Sequence, residues 1–123
     1  MLVSHSHIDF DLVNGVLHAT YRKGVIIDET AARSIVHARK MFMGTLHCPV
    51  ILFIDGIEKI TAGARRYLSS DEAIDGLVAV AMVSRSTLQY VLGNFLLQVN
   101  KARIPVRIFH QQSRAEKWIR QFQ

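Results

Sequence analysis

The sequence predicts an α/β layer domain, with a mixed, mostly parallel sheet flanked by helices. Three observations carry this. Pro49 to Ile54 and Leu77 to Val83 are continuous apolar runs, the pattern of strands buried on both faces. Segments with apolar residues at helical spacing alternate with them, which implies right-handed crossovers between parallel strands. Ahead of both, alternating residues flank Asn14-Gly15, the signature of a tight hairpin whose central residues need positive φ.

Taken in order, His5 to Val13 alternates, with Ile8, Phe10 and Leu12 on one face and Asp9 and Asp11 on the other. Val16 to Tyr21 runs back as the second strand. Asp28 then caps a helix carrying Ala31, Ile35, Ala38 and Phe42 at helical spacing, and Gly44 ends it. The Pro49 to Ile54 strand closes on Asp55-Gly56. Thr61 caps a short helix through Tyr67 and Leu68, and Asp71 to Asp75 makes a further helical turn. After the Leu77 to Val83 strand, Ser84 to Lys101 reads as a long helix. Pro105 to Phe109 is the last strand, with proline at its start, where a missing N–H is tolerated. Ser113 to Glu116 has capping-box spacing and opens a final helix with Trp118, Ile119 and Phe122 as apolar contacts. The expected order is β-β-α-β-α-β-α-β-α.

Composition bounds the classes. The 123 residues fit one domain spanning 1–123, with 50% hydrophobic and 20% charged residues. The net charge of +5 is scattered over short doublets such as Arg22-Lys23, Arg39-Lys40 and Arg65-Arg66, so no nucleic-acid partner is expected. No apolar run approaches the roughly 20 residues that span a bilayer, and the start lacks a basic segment followed by an apolar stretch. The single Cys48 suits a reducing compartment. A cytoplasmic location, without membrane insertion, is the expectation.

The element order and the residues at the strand ends resemble the STAS fold of SpoIIAA-like proteins. The residues that carry the likeness are Ile51-Leu52-Phe53-Ile54-Asp55 followed by Gly63-Ala64-Arg65-Arg66-Tyr67, then Val91-Leu92-Gly93-Asn94-Phe95, and Pro105 with Ala115-Glu116-Lys117-Trp118. Bacterial relatives labelled STAS/Sec14-type look closer still. The resemblance implies a SpoIIAA-like domain that works as a regulatory, non-catalytic binding module. In the SpoIIAA family of anti-sigma-factor antagonists, a phosphorylatable Ser follows an Asp in an Asp-Ser-Ser-Gly run. Matched on the glycine, this chain reads Ile60-Thr61-Ala62-Gly63. Thr61 takes the acceptor's position, Ile60 replaces the Asp and Ala62 the second Ser.

The candidate contact surface is therefore Asp55, Gly56, Thr61, Arg65 and Arg66. Asp55 is chosen because open α/β sheets bind ligands beyond the carboxyl ends of their strands; its plainer role is to begin a turn with Gly56. A phosphoryl group on Thr61 would meet the helix N-terminus with Arg65 or Arg66 one turn on; the plainer role of Thr61 is capping alone. The expected 84–101 helix bears more apolar surface than one docking stripe needs, with Leu88, Tyr90, Val91, Leu92, Phe95 and Leu97 as an apolar pocket or dimer face. That excess frames the alternative function, a carrier or sensor of a small apolar, lipid-like molecule under this helix, and equally a homodimer.

No metal, cofactor or enzymatic role is expected. His5 and His7 lie on one strand face, but two imidazoles make only part of a metal site. No nucleophile, base and stabiliser converge by spacing, and neither a Walker nor a GxGxxG sequence appears.

Overall fold

A computed structural model describes residues 2–86 and 103–123. The first strands are β1 (Leu2–Ser4), β2 (Ile8–Val13), β3 (Val16–Tyr21) and β4 (Val25–Ile27). Helix α1 (Glu29–Met43) follows, then β5 (Cys48–Phe53), β6 (Ile57–Ile60), α2 (Ala62–Leu68), α3 (Asp71–Ile74), β7 (Leu77–Val83), β8 (Val106–Phe109) and α4 (Gln112–Ile119). A 3-10 turn, Arg120–Phe122, ends the chain's structure.

Among the described residues the main sheet has the order β1-β2-β3-β5-β7-β8. The β1–β2 and β2–β3 pairs are antiparallel; β3–β5, β5–β7 and β7–β8 are parallel. This is the mixed, mostly parallel sheet that the sequence predicts. The hairpin turns where expected: Asn14 and Gly15 have φ of 52° and 79°, and Val13 pairs with Val16. The short strands β4 and β6 pair with each other, in parallel, as a separate two-stranded sheet.

Alternation along β5 sends side chains to two layers. Cys48, Val50 and Leu52 join Ile8, Phe10, Leu17, Ile35, Val36 and Val80 in the core beneath α1 and α2. Ile51 and Phe53 join Val16, Ala79, Ala81, Val83, Ala115 and Ile119 in the core beneath α4. A strand used on both faces has to be apolar throughout. Leu12 is less buried than its alternation predicts, at 36% exposed. Arg39 crosses the first layer: its stem is buried, and Nη2 donates to the Ala73 and Asp75 carbonyls at 2.9 and 3.0 Å.

Several expectations need correction. Short strands β1, β4 and β6 add to the predicted order. Ser84, Arg85 and Ser86 are not helical: the Ser84 N–H and hydroxyl and the Arg85 N–H are committed to Phe109 and Asp55 at the neighbouring strand ends; the rest of the expected 84–101 helix lies outside the described residues. Helix α4 starts at Gln112 with Gln111 as its N-cap, and makes no side-chain cap bond. Ser113 therefore sits inside the first turn, and the capping box is not formed. Docking of Ala115 and Ile119 on the sheet fixes the register, and the Gln112 amide donates to Glu116 at 2.8 Å instead.

Candidate functional site

Parallel pairing brings the carboxyl ends of β5, β7 and β8 to one edge, where they are laced together. The Ile54 N–H donates to the Val83 carbonyl at 3.1 Å, and the Ser84 N–H to the Phe109 carbonyl at 2.9 Å. Ser84 is fully buried between these strands. Its Oγ donates to Asp55 Oδ1 at 2.6 Å. The Arg85 N–H donates to Asp55 Oδ2 at 2.9 Å and approaches Oδ1 at 3.2 Å. His110 Nδ1 lies 3.2 Å from the Ser84 carbonyl; since a carbonyl only accepts, Nδ1 carries the proton there.

These contacts set the charge of Asp55. Partial burial pushes its carboxyl up, but the Ser84 hydroxyl, the Arg85 and Ser86 N–H groups and the Arg85 charge outweigh this and hold it below its ordinary value. Asp55 is thus an ionised, oriented carboxylate. It borders an open cleft of about 400 Å³ lined by Phe53, Val83, Arg85, His110, Gln111 and Gln112 as well.

Serine, histidine and aspartate meet here, but not in the order that activates a nucleophile. The Ser84 hydroxyl donates to Asp55, and His110 contacts the Ser84 carbonyl rather than Oγ. A catalytic triad needs the imidazole on the hydroxyl and the carboxylate on the imidazole. The arrangement suits binding and the bracing of strand ends.

The second part of the predicted surface lies at the far end of β6. Four residues of strand separate the Asp55-Gly56 turn from Thr61, about 13 Å at the usual rise per residue. Thr61 caps α2 as expected, with Oγ1 accepting from the Ala64 N–H at 3.1 Å, while its own N–H donates to the Ile27 carbonyl at 2.9 Å. Arg65 turns back to the Ile60 carbonyl at 3.1 Å, and Arg66 is exposed. The Glu29 carboxylate lies beside Gly63, where an added Cβ would come within 3.3 Å of it. The Arg66 guanidinium borders the same position at 3.9 Å, so both signs of charge flank the first turn of α2.

Gly56 has a packing role. Its carbonyl accepts from the Gly24 and Val25 N–H groups at 2.8 and 3.2 Å, and a Cβ would collide with the backbone of Tyr21 and Arg22. Leu88, Tyr90, Val91, Leu92, Phe95 and Leu97 lie outside the described residues. Both ring nitrogens of His5 are engaged, Nδ1 by the His7 N–H at 3.2 Å and Nε2 with Ser34 Oγ at 3.0 Å. Among the described residues no three potential ligands cluster around a metal position.

Sequence reasoning missed Ser84, Arg85 and His110. The strand-end rule that selects Asp55 would have found them if applied to β7 and β8 too, since Ser84 and His110 each directly follow a predicted strand.

No helix among the described residues is long and apolar enough to cross a membrane. In the comparisons with known proteins, no curated protein matches the chain. A solved structure from Shewanella loihica PV-4, an uncharacterized DUF3478-family protein with a SpoIIAA-like fold, superposes with a TM-score of 0.65. The two are 10% identical, and the match covers 95% of this chain and 98% of that one. At that identity the likeness shows the fold alone, and it agrees with the strand order described above. A protein with unknown function from Arthrobacter sp. FB24 is 21% identical over 90% of this chain and 97% of that one, but its TM-score of 0.35 carries no argument. The model of the domain of unknown function DUF7793 matches residues 10–123, nearly the whole chain, and the protein therefore belongs to the DUF7793 family.

Proposed function

We propose that this SpoIIAA-like domain is a non-catalytic interaction module that binds a protein partner, or a second copy of itself, through the edge running from the Asp55 turn to the start of α2. The observation that carries this reading is the ionised Asp55 carboxylate, oriented by the Ser84 hydroxyl and the Arg85 N–H at the mouth of an open cleft. Fixed polar groups at the carboxyl ends of parallel strands are where open α/β sheets contact ligands. Arg85, Arg65 and Arg66 give the same edge positive charge to set against the Asp55 carboxylate.

Thr61 is the switch point in this reading. A phosphoryl group there would bring a charge of about −1.5 to −2 next to Glu29, and would compete with the cap bond to Ala64. With Arg65 held by the Ile60 carbonyl, the charge meets Glu29 on one side and the Arg66 guanidinium on the other, and the expected effect is a rearranged first turn of α2. The buried Cys48 supports a reducing, cytoplasmic setting for the module.

The test is affinity capture from cells of the source organism with tagged wild type, Asp55→Arg and Thr61→Glu, quantified by mass spectrometry, with circular dichroism to check folding. One shared partner, or the protein's own untagged copy, should be recovered several-fold less by both folded variants. Equal recovery of every protein by all three baits would refute the proposed edge.

A further inference from the structure

Basic residues are scattered along the whole chain, but their excess over acidic residues is concentrated near its end. Residues 103–123 hold five basic residues, Arg103, Arg107, Arg114, Lys117 and Arg120, against Glu116 alone, so four of the five net positive charges lie in this short segment. Helix α4 and the 3-10 turn that follows it arrange three of them in one stripe. Their inner side is occupied: Ala115 and Ile119 are buried, and Trp118 packs on Phe109 and Phe122. Arg114, Lys117 and Arg120 recur every three residues on the exposed side.

Several arginines outside α4 are matched. Arg22 pairs with Asp9, Arg33 with Glu29 and Glu72, and Arg103 with Asp71. Arg39 and Arg65 bond to backbone carbonyls. Among the described residues, the side chains of Arg114, Lys117 and Arg120 have no ion-pair or hydrogen-bond partner, and Glu116, the one acid on α4, is taken by Gln112. The first turn of α4 has no acidic residue and holds Arg114, where the helix dipole disfavours a cation. Local stability is forgone at this position, which is the mark of a residue kept for another purpose.

We infer that the outward face of α4 and the start of the 3-10 turn after it, with Arg114, Lys117 and Arg120, is a docking surface for an acidic segment of a partner protein. Charge complementarity selects the partner. The stripe spans about 9 Å of helix, a length that suits a short run of carboxylates. A membrane surface would call for apolar side chains beside the charges, and those of α4 are spent on the sheet. Single-stranded nucleic acid would call for fully exposed aromatic rings on which bases stack, and Trp118 is half-buried against Phe109 and Phe122. This face begins beside the Asp55 cleft, which Gln111 and Gln112 line, but it uses different side chains, so Asp55→Arg and Arg114→Glu/Lys117→Glu test the two readings separately.

The test uses a fluorescein-labelled oligoglutamate peptide and the full chain, read by fluorescence anisotropy at about 50 and 150 mM salt. Wild type should bind the peptide more tightly than it binds a single-stranded DNA oligonucleotide or phosphatidylserine vesicles. Arg114→Glu/Lys117→Glu should weaken peptide binding by about tenfold or more, whereas Lys23→Glu/Lys59→Glu, an equal change of charge elsewhere, should weaken it less than about threefold. Circular dichroism confirms that both variants are folded. No peptide binding by wild type, equal losses in the two variants, or a preference for DNA or vesicles would each overturn the inference.

Discussion

Replacing Ser84 with alanine removes the hydroxyl that orients Asp55 and leaves the rest of the strand-end edge in place. The hydroxyl is fully buried and donates to a carboxylate oxygen at 2.6 Å, the length of a charge-assisted bond. Hydrogen bonds to charged groups contribute about 1.5–3 kcal/mol. Asp55 is exposed on its outer side, so water competes and the low end applies, about 1.5 kcal/mol. For a chain of this size that is a fall in Tm of about 5 °C. The sign with pH follows from the depressed carboxyl of Asp55. Its contribution is fully present above the ordinary value of 3.8 and is lost as pH falls through the lower native value. Urea denaturation of wild type and Ser84→Ala at about pH 7 and about pH 3 separates these effects. The difference should be near 1.5 kcal/mol at neutral pH and shrink in acid. A neutral-pH difference below about 0.5 kcal/mol, or one that does not shrink in acid, would refute the claim that this bond holds an ionised Asp55.

Other perturbations follow from the same contacts. Gly56→Ala should cost about 1–3 kcal/mol, because the new Cβ collides with the Tyr21 and Arg22 backbone; denaturant unfolding measures it, and a neutral result would mean that the turn is free to move. Burial pushes the Tyr21 phenol up to about 12 from 10.0, so stability should fall as pH rises from about 10 toward 12, by up to about 2.7 kcal/mol. Tyr21→Phe should lack that part of the alkaline slope in urea titrations. Arg39→Ala should lose about 2–3 kcal/mol, since the Ala73 and Asp75 carbonyls lose their donor. Arg39→Met, which keeps the buried stem, should recover part of that loss in the same assay.

What could be read from the sequence was whatever short-range pattern determines. Asn14-Gly15 demanded positive φ, and the hairpin register obeys it. Asp28 and Thr61 cap the helices they precede. The unbroken apolar character of Pro49 to Ile54 announced a strand with two buried faces, and the residues of β5 divide between the two cores. Strands β4 and β6 were missed because three or four residues carry too little periodicity, and each exists through its pairing with the other. The bond between Ser84 and Asp55 joins residues 29 positions apart, and only the parallel register of β5 and β7 brings them together. At α4 a local signal misled: Ser113 and Glu116 have the right spacing, but packing of Ala115 and Ile119 sets where the helix begins. The candidate surface was half legible for the same reason. Asp55 follows from strand-end logic, whereas its partners come from neighbouring strands distant in sequence.

Everything at the candidate edge depends on β5, β7 and β8 running side by side in one direction. Backbone NOE spectroscopy on isotopically labelled protein tests this directly. The register predicts contacts that advance together along the chain, from Val50 with Val80 to Phe53 with Val83, and from Val80 with Val106 to Val83 with Phe109, without the strong Hα–Hα contacts of antiparallel pairs. Hα–Hα contacts between these strands, or contacts that descend along one strand as they ascend the other, would contradict the account.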